Sequence, residues 1–308
     1  MNYILLAAPI SNEFFLFLKE KNFDILMLEF FLANKEKYYA SILGIVTSNK
    51  LHLQNNELKN YTNLKWIARL GSGMEIIDTV YCDEKNIKYF SSPNGISNAV
   101  AEHTMGMLLS LLHKINIAHN EVKEGKWIRE SNRGIELESL TVGIIGYGHT
   151  GKAFADKLKS FTKHIFVFDK MKMNIEEEII QETSLEKLQQ KADIISFHVP
   201  LNAETKNYYN IDFLQKMYKN HIIVNTSRGE IVHTNTILKG LESKKILGAC
   251  LDVLEEEKNI KNILNEKNNT IQQLLQYNTI ITPHIAGYTH NAIEKMSKEL
   301  MVSLQNIL

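Results

Sequence analysis

A chain of 308 residues, 44% hydrophobic and 23% charged, is long enough for two domains of ordinary size, each with its own core. Its 35 Lys and Arg balance its 35 Asp and Glu, so charge gives no reason to expect a nucleic acid or an anionic membrane as partner. The two cysteines, Cys82 and Cys250, lie far apart and outside any C-x-x-C or Cys/His cluster. That argues against a metal site or a disulfide framework, and it suits a reducing cytoplasm.

The opening MNYILLAAPISNEFF has too short an apolar run for a signal peptide and lacks a basic leader, so Tyr3 to Ala8 reads as a buried strand. An amphipathic segment, Asn12 to Lys21, follows. Further apolar strands are expected at Asp24 to Leu28, Ile42 to Thr47, Lys65 to Leu70 and Ile87 to Ser91. Such alternation predicts a parallel sheet with helices on both faces. SSPNGISN, around Pro93, reads as a loop. From Ala99 to about Glu124 the residues Val100, His103, Met107, Leu111 and Ile115 recur at helical spacing, which predicts one long helix closed by Gly125. Its most apolar part, Met105 to Leu112, is far shorter than the ~18 residues a membrane span needs, and a soluble protein is expected. Lys126 to Glu138 reads as irregular.

The stretch Thr141 to Gly151, TVGIIGYGHTG, carries the strongest motif. A buried strand, Val142 to Ile145, runs into Gly146, Gly148 and Gly151 in the spacing G-x-G-x-x-G, and a helix is expected over about His149 to Ser160. The three glycines permit a tight turn, close approach of the backbone to a pyrophosphate, and close packing of helix on strand. The helix amino-terminus offers unpaired N–H groups and a positive dipole end. A second strand, His164 to Phe168, ends at Asp169, eighteen residues past Gly151. A carboxylate there accepts hydrogen bonds from both hydroxyls of an adenosine ribose and repels a 2′-phosphate, so NAD is expected rather than NADP.

Beyond Asp169, strands are expected at Asp193 to His198, His221 to Asn225, Leu247 to Asp252 and Thr279 to Thr282, with helices clearest at Leu185 to Lys191 and Thr234 to Ser243. Glu255 to Asn269 reads as a solvated loop. The final segment, His290 to Leu308, carries Ile293, Met296, Leu300, Leu304 and Ile307 in helical register. Three segments fall just after predicted strands, the ends at which open α/β sheets bind ligands: NTSRGE with Arg228, GACLDVLEEE with Asp252 and Glu257, and TPHIAGYT with His284. Singly, each has a bland reading as a surface charge, an acidic turn or a structural histidine. Together they form a set with chemistry. A guanidinium grips a carboxylate with a planar fork, and an imidazole gives or takes a proton near neutral pH.

The pieces ARLGSGMEIID, SNAVAEHTMGMLL, KEGKWIR, LTVGIIGYGHTGKAFADKL, DIISFHVPLNAETKN, IVNTSRGEIV, GACLDVLEEE and TPHIAGYT cover most of residues 64 to 290. In their order they resemble the D-isomer-specific 2-hydroxyacid dehydrogenase family, and within it the phosphoglycerate dehydrogenases. The resemblance implies an α/β protein of two doubly wound parallel sheets, with a Rossmann NAD domain (98–284) inserted into a split, flavodoxin-like substrate domain (1–97 and 285–308). It also implies catalysis by Arg228, Glu257 and His284. The coenzyme is expected at Gly146, Gly148, His149, Thr150, Gly151, Asp169, Val199, Thr226, Ser227, Asp252 and Gly287. Substrate is expected at Arg69, Leu70, Gly71, Ser72 and Arg129, with Arg129 on an arm that the family exchanges between subunits of a homodimer.

Some positions depart from the phosphoglycerate pattern. Thr47 stands where an Arg usually helps hold the phosphate, Ile96 replaces a substrate-contacting Asn, and Glu75-Ile76 replaces an Asp-Asn pair; Lys50 is a possible substitute for the lost cation. The expected substrate is therefore 3-phosphoglycerate first, with hydroxypyruvate or glyoxylate second. A non-catalytic NAD(H)-sensing protein is the alternative from another class, and retention of Arg228, Glu257 and His284 weighs against it. A Rossmann protein for another nucleotide, such as S-adenosylmethionine, is disfavoured by Asp252 and TPHIAG.

Overall fold

The computed structural model describes residues 2–171, 174, 175, 177–255, 257, 264 and 269–308. Most of the Glu255 to Asn269 stretch expected as a loop lies outside the described residues. The chain divides into two units, one of residues 1–98 with 288–308 and the other of residues 99–287.

The first unit is a five-stranded parallel sheet of β1 (Tyr3–Ala7), β2 (Asp24–Met27), β3 (Ile42–Thr47), β4 (Trp66–Arg69) and β5 (Lys88–Ser91). The order β2-β1-β3-β4-β5 is that of flavodoxin-like sheets. Central strands are buried on both faces, which is why β3 and β4 read as apolar runs instead of alternating. The carboxy-terminal helix His290–Gln305 belongs to this unit. Its Met296, Leu300 and Leu304 are buried, and Ser297 Oγ accepts at 2.9 Å from the N–H of Ser11, the residue that caps helix Asn12–Glu20.

Two expectations are corrected after β5. SSPNGISN is mostly helix, because helix Pro93–Leu112 starts at Pro93, where a fixed φ and a missing N–H are tolerated in the first turn. The long helix expected from Ala99 to Glu124 is two helices: Lys114 sits in the left-handed region at φ 53°, and a second helix, Ile115–Lys123, follows. Gly125 closes this second helix, with the Gly125 N–H bonded to Val122 O and the Lys126 N–H to Glu121 O.

The second unit is a seven-stranded parallel sheet. Its strands are β6 (Val142–Ile145), β7 (Ile165–Phe168), β8 (Ile180–Glu182), β9 (Ile194–Phe197), β10 (His221–Asn225), β11 (Ile246–Leu251) and β12 (Thr279–Ile281). The order β12-β11-β10-β9-β6-β7-β8 is the Rossmann arrangement with one strand added at an edge, and the order reverses between β6 and β9. β8, three residues at that sheet's edge, carries too little apolar pattern to be seen in the sequence. Helices Pro93–Leu112 and His149–Leu158 supply Met105, Leu108, Leu111, Phe154 and Leu158 to one core cluster with β6, β7 and β10. Helices Leu185–Lys191, Ile211–Lys216 and Thr234–Glu242 supply Leu188, Phe213, Ile237 and Leu241 to the cluster on the other face. Among the described residues no helix is long and apolar enough to cross a membrane.

Candidate active site

At the reversal between β6 and β9, the glycine motif is enforced by space as well as by conformation. Gly146 lies at φ 94°, and a Cβ there would sit 2.7 Å from His198 O, just after β9. A Cβ on Gly151 would sit 2.0 Å from Gly146 O, so helix His149–Leu158 can rest on the turn only without one. Gly148 differs: a Cβ there meets nothing within 4 Å among the described residues. It is the N-cap of that helix, and no side chain caps it. The turn thus leaves an open approach to first-turn N–H groups, with Gly148 and His149 exposed at its mouth. Asp169, at the end of β7, accepts from the Tyr147 N–H at 2.6 Å and the Met171 N–H at 2.9 Å, which fixes its carboxylate beside the turn. Such a cradle, with an anchored carboxylate past the second strand, fits a dinucleotide with a free ribose diol.

The loops after β9 and β10 are tied together. Ser227 Oγ donates to Val199 O, and the Ser227 N–H donates to Asn225 Oδ1 at 3.1 Å. Asn225 Nδ2 donates to Arg228 O at 2.8 Å, so the β10 strand end grips the backbone of the residue it presents. Arg228 directs one guanidinium N–H to Ser227 O at 2.7 Å. Gly229 then lets this loop lie on the next one, since a Cβ there would fall 2.0 Å from the Leu254 carbonyl carbon. The sequence offered no reason to single out Gly229; the close approach is a tertiary fact.

Asp252, at the end of β11, is 1% exposed, and its oxygens are filled by protein donors. Oδ1 accepts from Thr282 Oγ1 at 2.6 Å and the Ile285 N–H at 2.9 Å, while Oδ2 accepts from the Ala286 N–H at 2.8 Å. The Asp252 carbonyl accepts from the His284 N–H at 2.8 Å. One buried carboxylate therefore shapes the turn Pro283 to Gly287. His284 itself is left-handed at φ 55°, a conformation a non-glycine residue adopts only when its surroundings dictate it, and one that recurs at functional sites.

His284 Nδ1 lies 2.8 Å from Glu257 Oε2, and Glu257 Oε1 accepts from the Leu254 N–H at 2.8 Å. A carboxylate can only accept, so the hydrogen between the two lies on Nδ1 and Nε2 is left for chemistry. The Glu257 hydrogen bond raises the His284 pKa above its ordinary value; burial opposes this, the Glu257 and Asp252 charges support it, and the Arg228 charge works against it. Arg228, Glu257 and His284 thus stand in one electrostatic cluster.

Arg69, Leu70, Gly71 and Ser72 belong to the first unit. Arg69 is buried and turns over its own loop, donating to Leu70 O, Gly73 O and Asn49 Oδ1. Gly71 lies at φ 141°, and its N–H donates to Ser92 Oγ at 3.0 Å. Thr47 is fully buried at the end of β3, with its hydroxyl against Ser48 O and Leu51 O. Arg129 is exposed on the irregular segment after helix Ile115–Lys123. Among the described residues no group of three or more His, Cys, Asp or Glu is placed to hold a metal ion.

Residues 105–286 match the family described as D-isomer specific 2-hydroxyacid dehydrogenase, NAD binding domain. The chain is 34% identical over 243 residues to a glyoxylate reductase of Thermofilum pendens, covering 77% of this chain and 69% of that one. It is 29% identical over 296 residues to a D-3-phosphoglycerate dehydrogenase of Archaeoglobus fulgidus, covering 94% of this chain and 54% of that one. Among solved structures, D-lactate dehydrogenase from Aquifex aeolicus, complexed with NAD and lactic acid, superposes with a TM-score of 0.84 at 27% identity, covering 99% of this chain and 94% of that one. The chain belongs to the D-isomer specific 2-hydroxyacid dehydrogenases, a family of NAD-dependent oxidoreductases, and its second unit is the NAD-binding domain.

Proposed function

We propose that this protein reduces a small, unphosphorylated 2-keto acid of the glyoxylate or hydroxypyruvate kind to the D-2-hydroxy acid, and catalyses the reverse oxidation. The observation that carries the reading is the His284 to Glu257 hydrogen bond at 2.8 Å, with Arg228 in the same cluster. NADH, when bound, supplies a hydride to the keto carbon. Arg228 grips the substrate carboxylate and draws electron density toward the carbonyl. The alkoxide that forms takes a proton from His284 Nε2: an N–H bond breaks, an O–H bond forms, and the neutral imidazole keeps its Nδ1–H on Glu257. In the oxidising direction the same nitrogen receives the hydroxyl proton. Gly146, Gly148 and Gly151 would admit the pyrophosphate, Asp169 would take the ribose diol, and Val199, Thr226, Ser227 and Gly287 would line the path of the coenzyme, with the buried Asp252 acting through the turn Pro283 to Gly287 that it shapes.

Phosphoglycerate, first in the sequence-based expectation, becomes the second reading. Thr47 is an uncharged, buried residue whose hydroxyl is already engaged, and Arg69 spends donors on its own loop. The exposed Arg129 and Lys50 are the cations that favour a phosphate. A panel of 2-keto acids with and without phosphate, assayed with NADH, tests both. Turnover of glyoxylate and hydroxypyruvate with a lower kcat/KM for the phosphorylated acid is expected, and the reverse preference restores the second reading. His284→Ala should lower turnover by about 10²–10⁴ while NADH binding survives. A protein that binds NADH and reduces none of the panel is a sensor instead.

A homodimer is part of this reading. Ile115, Val122, Trp127, Ile128 and Ile135 are exposed apolar residues on helix Ile115–Lys123 and the segment after it, and a second copy of the chain would cover them. Light scattering at micromolar concentration should give twice the chain mass. Both cysteines are free and buried, which suits the cytoplasm.

A further inference from the structure

Two successive residues of helix Pro93–Leu112 reach the two loops that carry the candidate catalytic groups. Thr104, fully buried, donates its single hydroxyl hydrogen to Val100 O at 2.7 Å. Its oxygen lies 2.9 Å from Thr226 Oγ1, so Thr226 is the donor and the loop ending in Arg228 is hung from the helix by that bond. His103 Nε2 lies 3.0 Å from Thr282 Oγ1. Thr282 has one hydrogen as well, and the Asp252 carboxylate, 2.6 Å away, can only accept it. The Thr282 oxygen must therefore accept from a His103 Nε2–H, and the chain runs in one direction: His103 Nε2–H to Thr282 Oγ1, Thr282 Oγ1–H to Asp252 Oδ1. The same Oδ1 takes the Ile285 N–H, next to His284.

We infer that His103 and Thr104 are positioning residues that hold the Arg228 loop and the His284 loop in register from a single turn of one helix. Neither touches the reacting atoms in this arrangement. Thr104 acts on Arg228 through Thr226, two residues before it. His103 acts on His284 by fixing the plane of Asp252, whose two oxygens shape residues 285 and 286 and whose carbonyl holds the His284 N–H. His103 also lies 3.6 Å from Asp252 Oδ1, so its imidazolium form would strengthen the same hold. A helix turn is stiff, and the two bonds it makes are buried or half-buried, so the distance between the loops is set by backbone geometry and not by the loops themselves. The inference rests on the roles of Arg228 and His284 proposed above.

The two arms act on different kinetic constants, which separates positioning from loss of fold. His103→Leu removes the donor to Thr282, and kcat for glyoxylate with NADH should fall on the order of tenfold to a hundredfold, with KM little changed. His103→Gln keeps an N–H and should recover most of the loss. Thr104→Val should raise KM for glyoxylate on the order of tenfold through Arg228, with kcat retained, and Thr104→Ser should recover it. A readout without turnover is the His284 ring resonance in the protein alone, followed by NMR against pH. In His103→Leu the loop loosens, Glu257 and His284 draw apart, and the titration should move to lower pH; in Thr104→Val it should stay. Kinetic constants that shift together in all four variants, or a His284 titration unmoved by His103→Leu, overturn the inference. If the unmutated protein reduces no keto acid, the proposed function fails, and the NMR arm still decides whether His103 positions His284.

Discussion

The three glycines of the motif separate space for the fold from space for the coenzyme. Replacing Gly151 by Ala puts a Cβ 2.0 Å from Gly146 O, where contacts below 3.0 Å do not occur, so the carbonyl of the turn must retreat by about 1 Å. Overpacking of that size costs about 3 kcal/mol, and the better helix propensity of Ala returns up to about 1 kcal/mol. The net loss of about 2 kcal/mol corresponds to a fall of roughly 4–8 °C in the melting temperature of a unit of this size. Gly148→Ala should behave otherwise. The residue sits at φ −76° and ψ −159°, which Ala also adopts, and its Cβ meets no described atom within 4 Å. Reduced freedom in the unfolded chain and a poorer N-cap nearly cancel, within about 1 kcal/mol. That Cβ instead occupies the approach to the helix N–H groups. Losing hydrogen bonds to a charged phosphate should weaken NADH on the order of tenfold to a hundredfold. Thermal unfolding and NADH fluorescence titration, run on both variants, check the separation. If Gly148→Ala binds NADH as tightly as the unmutated protein, or melts as early as Gly151→Ala, the coenzyme does not approach through this turn.

Glu257→Gln removes the charge, and with it the charge-assisted strength of the bond, that raises the His284 pKa; burial and Arg228 then lower it against the Asp252 charge alone, so His284 keeps its proton only to a lower pH. The upper pH limit of keto-acid reduction should then move down, and an unmoved limit in the kcat/KM profile would remove Glu257 from the reaction. Asp169→Ser should weaken NADH and narrow its advantage over NADPH, because the ribose diol loses its acceptor and the 2′-phosphate its repulsion; equal use of both by the unmutated protein would contradict this role for Asp169. His198 and His221, which burial holds down to about 3 and about 4, each contribute to sensitivity to acid. Both stay neutral in the folded state while the unfolded chain takes protons below about 6.5, so stability is complete above that pH and drains as pH falls toward 4, by about 1.4 kcal/mol per pH unit for each. Urea midpoints at pH 7.5 and 5.5 measure this, and His198→Gln should flatten the dependence.

The sequence alone determined the elements whose signal is local. Val142–Ile145, His221–Asn225 and Leu185–Lys191 form where an unbroken apolar run or a helical repeat leaves one way to bury it. The order of motifs at strand ends likewise brings Arg228, Glu257 and His284 forward as candidates, since a parallel sheet delivers every strand end to the same edge. Distances across that edge are another matter, because they join residues far apart in the chain. His103 read as one more position on an apolar stripe, though a polar residue at that point was the available signal; only the packed helix turned it toward Thr282, 179 residues on. The left-handed φ of Lys114, which splits the long helix, has no glycine or proline to announce it. Arg69 turned inward over its own loop because a guanidinium goes wherever carbonyls converge, and that convergence exists only once β4, the Gly71 turn and Asn49 have met.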